Sequence, residues 1–248
     1  MMQIRAVLFD IGETLWHSRS APPAREFRRL AAGRAAELLP RLGFPEADPE
    51  TAARVAWDAL EQAMSTARRT DLVEPDYADF ARAALVEIGI PVSRDAAAEF
   101  LDAIYVSGAE GGKAAFQDAV DVLHELRNRG FLLATVTNRA FGGERFRADL
   151  RAAGLDIGWD AESVSVEVGY LKPHPAPFLY ALAALNIAPA EALMVGDSLA
   201  QDIVGAQRIG MRTAWRISPP DGDGITPDFT FVELQDLLAL PVLARCQL

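Results

Sequence analysis

The chain has 248 residues, 50% of them hydrophobic, which is enough to bury one sizeable core or two smaller ones. Its formal net charge of −11 argues against nucleic acid or an anionic membrane as a partner. The single cysteine, Cys246, excludes an internal disulfide and fits a cytoplasmic protein, and no apolar stretch is long enough to cross a bilayer.

The first predicted element is a strand over 4–9, a run that is apolar except for Arg5 and that ends at Asp10. Apolar side chains on both faces over this length predict a strand buried on both faces of a parallel sheet. Asp10 would then lie at the carboxyl end of a central strand, where open α/β sheets bind ligands, and Gly12 would let the backbone turn close to that ligand. Taken alone, the motif fits an ordinary turn aspartate as well as a functional carboxylate.

The segment from 24 to 107 has four successive apolar stripes at helical spacing and no strand pattern. Stops that contain glycine and proline, at 42–45 and 88–91, end helices inside it, and three glycines within 108–112 predict a hinge. Four helices in a row, inside a chain that otherwise alternates, predict a helical domain over 16–112 that is inserted into a second domain as a lid.

After residue 112 the pattern alternates between strands and helices. This alternation predicts an α/β fold with a doubly wound, mainly parallel sheet, in a domain made of 1–15 and 113–248. The predicted strands after the first cover 131–136, 162–166, 192–195, 212–215 and 228–231, and a short helix over 232–240 ends the pattern. We expect a monomer or a homodimer.

Polar side chains follow several of these strands. Asp10, Thr137-Asn138 and Asp197 each follow a strand, and Lys172 follows the weakest one. Because the carboxyl ends of parallel strands lie at one edge of a sheet, these side chains can converge. Two carboxylates and a backbone carbonyl suit Mg²⁺, whereas a hydroxyl, backbone N–H groups and an ammonium suit phosphoryl oxygens. Asp10 is then a candidate nucleophile that accepts the phosphoryl group as an aspartyl phosphate.

Four motifs in this order resemble those of the haloacid dehalogenase-like hydrolase superfamily. They are Phe9-Asp10-Ile11-Gly12-Glu13-Thr14-Leu15, Val136-Thr137-Asn138, Glu167-Val168-Gly169-Tyr170-Leu171-Lys172-Pro173 and Val195-Gly196-Asp197-Ser198-Leu199-Ala200-Gln201-Asp202-Ile203. The resemblance covers the sheet domain and the position of an inserted C1-type helical cap. It implies a Rossmann-like core, Mg²⁺ as cofactor and, in most members, hydrolysis of a small phosphorylated substrate.

By position, the resemblance implies that Asp10 is the nucleophile and that Thr137 and Lys172 hold the phosphoryl oxygens. These three are the predicted catalytic residues. The implied metal ligands are oxygen donors, namely Asp10, the Gly12 carbonyl, Asp197 and Asp202, with Asp202 in the metal shell or beside it. A structural alternative for Asp202 is an ion pair with Lys172 or Arg208.

Residues beside these motifs are predicted to bind the rest of the substrate. Arg139 directly follows the Thr137-Asn138 pair, where it could hold an anionic group or lie in a solvated loop. Trp16 and His17 follow the first motif and could line the pocket, although a packed tryptophan and an exposed histidine explain them equally well. The predicted substrate-binding residues are Thr137, Asn138, Arg139, Lys172, Trp16 and His17.

One position departs from the family pattern. Phosphatases of the family usually have a second aspartate two residues after the nucleophile, which protonates the leaving oxygen and later activates water; here that position is Gly12. Such general acid–base catalysis is typically worth ~10²–10⁴-fold. Glu13, a water or a substrate group could supply the proton, or the substrate could have a good leaving group, as in an acyl or aryl phosphate.

The remaining possibility is a reaction other than phosphate ester hydrolysis, since relatives that cleave carbon–halogen or carbon–phosphorus bonds also lack this aspartate. The pattern Gly196-Asp197-Ser198 with Asp202 resembles a metal site, which metal-free dehalogenation does not need. A Schiff base for carbon–phosphorus cleavage needs a cap lysine, and the cap has none before Lys113. A degenerate relative that only binds a phosphometabolite or a partner protein would not need all three of Asp10, Lys172 and Asp197.

Overall fold

The computed structural model describes residues 3–19, 21–217 and 224–244, so Cys246 lies outside the described part. The chain forms two compact units, Met1–Arg19 with Lys113–Leu248 and Ser20–Gly112, which we call the sheet unit and the helical unit. Within the described ranges, no helix combines the length and the apolarity that a membrane span requires.

The helical unit is built from helices whose packed faces consist largely of alanine and leucine. The helices are α1 (Ala24–Leu38), α2 (Pro49–Arg69), α3 (Tyr77–Glu87) and α4 (Arg94–Ile104). Small buried side chains let successive helices approach closely, and α1 packs against both α2 and α4. Asp48, Asp76 and Ser93 accept hydrogen bonds from backbone N–H groups in the first turns of α2, α3 and α4. Each such cap stabilises its helix by about 1 kcal/mol.

The sheet unit contains a parallel sheet that the polar motifs follow. Its strands are β1 (Ala6–Phe9), β2 (Trp16–His17), β3 (Ala114–Ala115), β4 (Leu132–Thr137), β5 (Ala161–Val164), β6 (Ala192–Gly196), β7 (Arg212–Arg216) and β8 (Phe229–Phe231). Six of them form one sheet in the order β5-β4-β1-β6-β7-β8, and every neighbouring pair is parallel. The strand with the nucleophile motif, β1, therefore lies between β4 and β6.

Helices cover both faces of this sheet. They are α5 (Ala119–Asn128), α6 (Gly143–Ala152), α7 (Ser165–Val168), α8 (Pro175–Leu185) and α9 (Val204–Arg208). Alternate residues of β1 enter two separate cores: Val7 and Phe9 pack with α5 and α6, and Ala6 and Leu8 pack with α8. This explains why the strand is apolar throughout. The predicted α/β fold with a doubly wound parallel sheet and a helical insertion is confirmed.

A short antiparallel ribbon was not predicted. Trp16 and His17 were placed in the helical domain, but they form β2, which pairs with β3 inside the sheet unit. The backbone N–H of Phe116 then donates to the carbonyl of Leu15 at 3.0 Å. Strands of two residues are too short to show an alternating pattern, so sequence periodicity could not reveal them.

Two predicted elements differ in detail. The strand predicted over 162–166 ends at Val164, and the following residues form the short helix α7. The helix predicted over 232–240 is a 3₁₀ helix over Leu234–Ala239, where Leu234 and Leu237 are buried. Apolar spacing of three or four residues suits both kinds of helix, so it does not separate them.

Candidate active site

The nucleophile candidate, Asp10, lies at the carboxyl end of the central strand. It directly follows β1, is 8% exposed, and its backbone N–H donates to the carbonyl of Val195 in β6 at 2.9 Å. Thr137 ends β4 on one side and Asp197 follows β6 on the other. Because the three strands are parallel neighbours, their ends bring these residues to the same edge of the sheet.

Lys172 is the central cation of the cluster. Its ammonium donates to Asp10 Oδ1 at 2.6 Å, to Asp202 Oδ1 at 2.7 Å and to the carbonyl of Val136 at 2.7 Å. These three acceptors match its three N–H donors, although the side chain is 2% exposed. Burial alone would lower the pKa of Lys172, but the charges of Asp10 and Asp202 raise it above its ordinary value, so the ammonium stays protonated at neutral pH.

Three carboxylates crowd around this one ammonium. Asp10, Asp197 and Asp202 each place an oxygen within 4.8 Å of the others. Burial, followed by the charge of Asp10, raises the pKa of Asp197 to about 6. Burial also raises the pKa of Asp202, a shift that the Lys172 ammonium opposes. The cluster therefore has more negative than positive charge, and its oxygen donors suit a hard divalent cation such as Mg²⁺.

Asp202 is held in place by two donors. Oδ1 accepts from Lys172, and Oδ2 accepts from the backbone N–H of Ser198 at 3.0 Å. A Cβ atom on Gly196 would lie 2.3 Å from Oδ2, so only glycine allows the carboxylate this close to the end of β6. The ion pair with Lys172 that the sequence offered as an alternative is present; Arg208 is exposed on α9.

Thr14 is a site residue that sequence reasoning missed. Its side chain is fully buried, and its hydroxyl lies 3.4 Å from Asp10 Oδ2 and 3.3 Å from Asp197 Oδ1. The turn that returns Thr14 to the strand end passes through Glu13, whose φ of 53° is left-handed. Thr14 belongs to the first motif, but its contact with Asp197 depends on the position of β6.

Two residues at the end of β7 also hold the site loops and were not predicted. Trp215 Nε1 donates to the carbonyl of Asp197 at 2.8 Å. The guanidinium of Arg216, which is 7% exposed, donates to the carbonyls of Thr14 at 2.8 Å and of Glu13 at 3.3 Å. The signal for both was available, because β7 was a predicted strand whose end must lie at the same edge of the sheet.

Asn138 joins two of the motifs. Its Oδ1 accepts from the backbone N–H of Lys172 at 2.7 Å, and its Nδ2 donates to the Lys172 carbonyl at 3.1 Å and to Gln201 Oε1 at 2.9 Å. The amide thus fixes the backbone that presents the Lys172 side chain. Thr137, directly before it, is buried at the end of β4.

The structure has space for a side chain at Gly12, the position where phosphatases of the family usually have the second aspartate. A Cβ atom on Gly12 would meet no atom within 4 Å, and the φ of Gly12 is not left-handed. A larger side chain is therefore compatible with the backbone there. Glu13 is exposed, and its Oε1 accepts from the backbone N–H of Ser18 at 3.1 Å, on the ribbon side of the turn.

The predicted substrate-binding cation Arg139 already has a partner. Its guanidinium pairs with Asp149 at 2.5 Å, and Asp149 is 2% exposed. The same guanidinium lies 5.3 Å from the ring centroid of Trp16, which is 3% exposed. Arg139 is thus neither solvated nor free of a counter-charge. His17 packs edge-on against Phe116, with the ring centroids 4.9 Å apart.

Comparisons with known proteins agree with this geometry. A family model described as haloacid dehalogenase-like hydrolase matches residues 4–210. A phosphoserine phosphatase from Thermus thermophilus is 35% identical over 130 residues, which cover 52% of this chain and 51% of that protein. Pyrophosphatase PpaX from Bacillus thuringiensis is 33% identical over 133 residues, which cover 52% and 59%. The chain thus spans about half the length of these curated relatives.

Among solved structures, one similar protein is a 2-haloacid dehalogenase from Pseudomonas syringae pv. Tomato DC3000. The two chains are 25% identical, with a TM-score of 0.67 over 97% of this chain and 98% of the other. The likeness therefore extends over both the sheet unit and the helical unit, whereas the curated relatives match a shorter part.

Proposed function

The chain belongs to the haloacid dehalogenase-like hydrolase family, and we propose that it is a Mg²⁺-dependent phosphatase of a small phosphorylated metabolite, acting through an aspartyl phosphate on Asp10. The observation that supports this most is the buried cluster in which Lys172 contacts Asp10 at 2.6 Å among three carboxylates. A nucleophilic carboxylate, a cation for phosphoryl oxygens and oxygen donors for a metal occur together there.

In the proposed reaction, Lys172 orients Asp10 and, with the Thr137 hydroxyl, holds the oxygens of the phosphoryl group. An oxygen of Asp10 attacks phosphorus, and the leaving oxygen departs with the electron pair of its bond to phosphorus. Water then cleaves the phosphorus–oxygen bond of the aspartyl phosphate, which releases phosphate and regenerates Asp10. Asn138 acts only through Lys172, whose backbone it fixes.

The donor set fits Mg²⁺. Asp10, Asp197 and the Gly12 carbonyl would hold the ion, while Asp202, with both oxygens already hydrogen-bonded, would stand beside the metal shell and position Lys172. Bound Mg²⁺ would supply positive charge that offsets the crowded carboxylates and the charge of the phosphoryl group.

The open position at Gly12 points to substrates with a good leaving group. Gly12 has no carboxyl group that could protonate the leaving oxygen, and the carboxylate of Glu13 accepts a hydrogen bond from the backbone of Ser18. An acyl or aryl phosphate needs little protonation. The name of the pyrophosphatase relative agrees with this, because phosphate leaves readily, whereas the name of the phosphoserine phosphatase relative implies an alkyl leaving group.

We expect p-nitrophenyl phosphate and acetyl phosphate to be hydrolysed with kcat/KM roughly 10²-fold or more above that of a sugar phosphate, because no acid assists the poorer leaving group. Steady-state release of phosphate with each substrate measures this. Equal values would mean that another group donates the proton, and Glu13→Gln would then identify or exclude Glu13.

We expect EDTA to abolish this hydrolysis reversibly, with activity restored by Mg²⁺, because the carboxylate cluster needs a cation to bind a phosphate dianion. A second measurement does not depend on turnover: Mg²⁺ should raise the Tm of the wild-type protein more than that of Asp197→Asn. Full activity in EDTA would contradict the metal assignment.

Dehalogenation is the second candidate, since a haloacid dehalogenase resembles this chain along its whole length and Gly12 is compatible with that reaction. The carboxylate cluster opposes it, because Asp197 and Asp202 are not needed to displace a halide from carbon. Release of halide from a 2-haloacid in the presence of EDTA would favour dehalogenation over phosphate hydrolysis.

A further inference from the structure

Of the 24 basic residues in the chain, two are lysines, Lys113 and Lys172, and both belong to the sheet unit. All other basic positions are arginine. A lysine ammonium is a compact point charge that arginine does not replace at a close contact. Lys172 is accounted for by its contacts with Asp10 and Asp202, whereas the reaction described above does not use Lys113.

Lys113 is a partly buried cation without an anionic partner. Among the residues that the structure describes, it forms no hydrogen bond and no ion pair; its ammonium lies 5.1 Å from the ring centroid of Trp16. Burial lowers the pKa of Lys113, as does the charge of Arg139, while the charges of Asp149 and Glu13 oppose this shift. A cation that has lost water without gaining a carboxylate costs free energy, which a bound anion would offset.

The neighbouring cation does not share this property. Arg139 is paired with Asp149 at 2.5 Å, so its charge is largely compensated inside the protein. Glu13, the other acidic residue near Lys113, is exposed and accepts from the Ser18 backbone. The ring of Trp16 therefore lies beside one cation that is paired and one that has no ion pair among the described residues.

Lys113 lies beside two loops of the candidate active site. Through Trp16 it adjoins the first motif, because the Trp16 backbone N–H donates to the carbonyl of Ile11 at 3.1 Å. Through the same ring it adjoins the guanidinium of Arg139, the residue that directly follows the Thr137-Asn138 pair. Lys113 therefore lies beside residues that adjoin the first and second motifs in the chain.

We propose that Lys113, which lies against the ring of Trp16, forms an anion subsite that binds a second anionic group of the phosphorylated substrate. The carboxylate or second phosphate of the substrate accepts a hydrogen bond from the ammonium, and the buried ring of Trp16 positions the lysine side chain. This inference rests on the proposed phosphatase function. In a protein with a net charge of −11, such a local cation is what draws a doubly anionic substrate to this edge.

The test uses three aryl phosphates that share one leaving group. Each compound is a phenyl phosphate with a para chain of two methylenes, and the chain ends in a methyl group, a carboxylate or a phosphonate. The two methylenes keep the end group from changing the pKa of the phenol that leaves. We expect the wild-type protein to prefer an anionic chain over the neutral one, mainly through a lower KM. A carboxylate preference identifies a carboxylate substrate, and a phosphonate preference identifies a second phosphate; no preference for either anion would overturn the subsite.

Variants connect the preference to the ammonium. Lys113→Met should lower the ratio of kcat/KM for the anionic over the neutral substrate by about tenfold or more, which is the worth of one charged hydrogen bond. Lys113→Arg retains a positive charge, so its ratio should lie between those of the wild-type protein and Lys113→Met. Arg208→Met removes one positive charge from an exposed position of the same unit and should keep the wild-type ratio. An unchanged ratio in Lys113→Met would overturn the subsite.

A labelling measurement is independent of turnover. An acetylating reagent should modify Lys113 but not Lys172, which is buried and hydrogen-bonded to three acceptors, and mass spectrometry separates the two. With Mg²⁺ present, 3-phosphonopropionate or propane-1,3-diphosphonate should protect Lys113 at concentrations where butylphosphonate does not. Protection without hydrolysis of any aryl phosphate would refute the proposed function alone; hydrolysis without protection or preference would refute the subsite alone.

Discussion

Asp10→Asn is expected to lower phosphatase kcat/KM by at least ~10⁴-fold, the scale seen when an enzyme loses its nucleophile. An amide oxygen is a poor nucleophile and the aspartyl phosphate cannot form. The substitution preserves size, and the Lys172 ammonium keeps its contacts with Asp202 and the Val136 carbonyl. The rate of phosphate release from p-nitrophenyl phosphate is the measurement, with circular dichroism to show that the variant is folded.

Asp156→Asn is the matched control, since it makes the same chemical change at an exposed position of the sheet unit, and it should retain wild-type activity. A second experiment separates attack by Asp10 from direct attack by water. Borohydride added during turnover should reduce the aspartyl phosphate and convert Asp10 to homoserine, which mass spectrometry detects. Direct attack by water forms no aspartyl phosphate and would leave Asp10 unchanged. An Asp10→Asn variant with more than about a tenth of wild-type activity would contradict the scheme.

The fold followed from sequence because its signals are local and repeated. The central strand is apolar on both faces, since its alternate residues, such as Leu8 and Phe9, enter two different cores. The meeting of Asp10, Asp197 and Lys172 followed from one topological rule, that parallel strands end at a common edge. In the structure these three side chains lie close together, as the rule predicts.

What sequence reasoning could not supply depends on partners that are distant in the chain. The sequence allowed Arg139 either to hold an anionic group of the substrate or to lie in a solvated loop. In the structure its guanidinium pairs with Asp149 on α6 and lies beside the indole of Trp16. Thr14 gained its contact with Asp197 only through the position of β6. The sequence showed only that no lysine precedes Lys113 in the cap. That Lys113 has no ion-pair partner among the described residues could not be predicted, because ion pairs depend on the three-dimensional structure.

Gly12→Asp is expected to raise kcat/KM for alkyl phosphates by about 10²-fold, with a smaller gain for p-nitrophenyl phosphate. The backbone at Gly12 accepts a side chain, since a Cβ atom would meet nothing within 4 Å. A carboxyl group there would stand near Asp10 and Asp197, whose negative charges favour its protonated form, so that it can donate to the leaving oxygen. The dependence of kcat/KM on the pKa of the leaving alcohol, measured over a series of phosphate esters, should become shallower.

Gly12→Asn is the control for this gain, because it adds nearly the same volume and polarity but no acidic proton. If Gly12→Asp and Gly12→Asn hydrolyse alkyl phosphates equally well, the gain comes from packing or binding and the missing-acid argument is wrong. If kcat/KM for alkyl phosphates rises only in Gly12→Asp, the wild-type protein contains the rest of a phosphoryl-transfer site. The residue at position 12 then determines which leaving groups the protein accepts. Because a degenerate binding protein would lack a competent nucleophile, the same gain would also exclude that alternative.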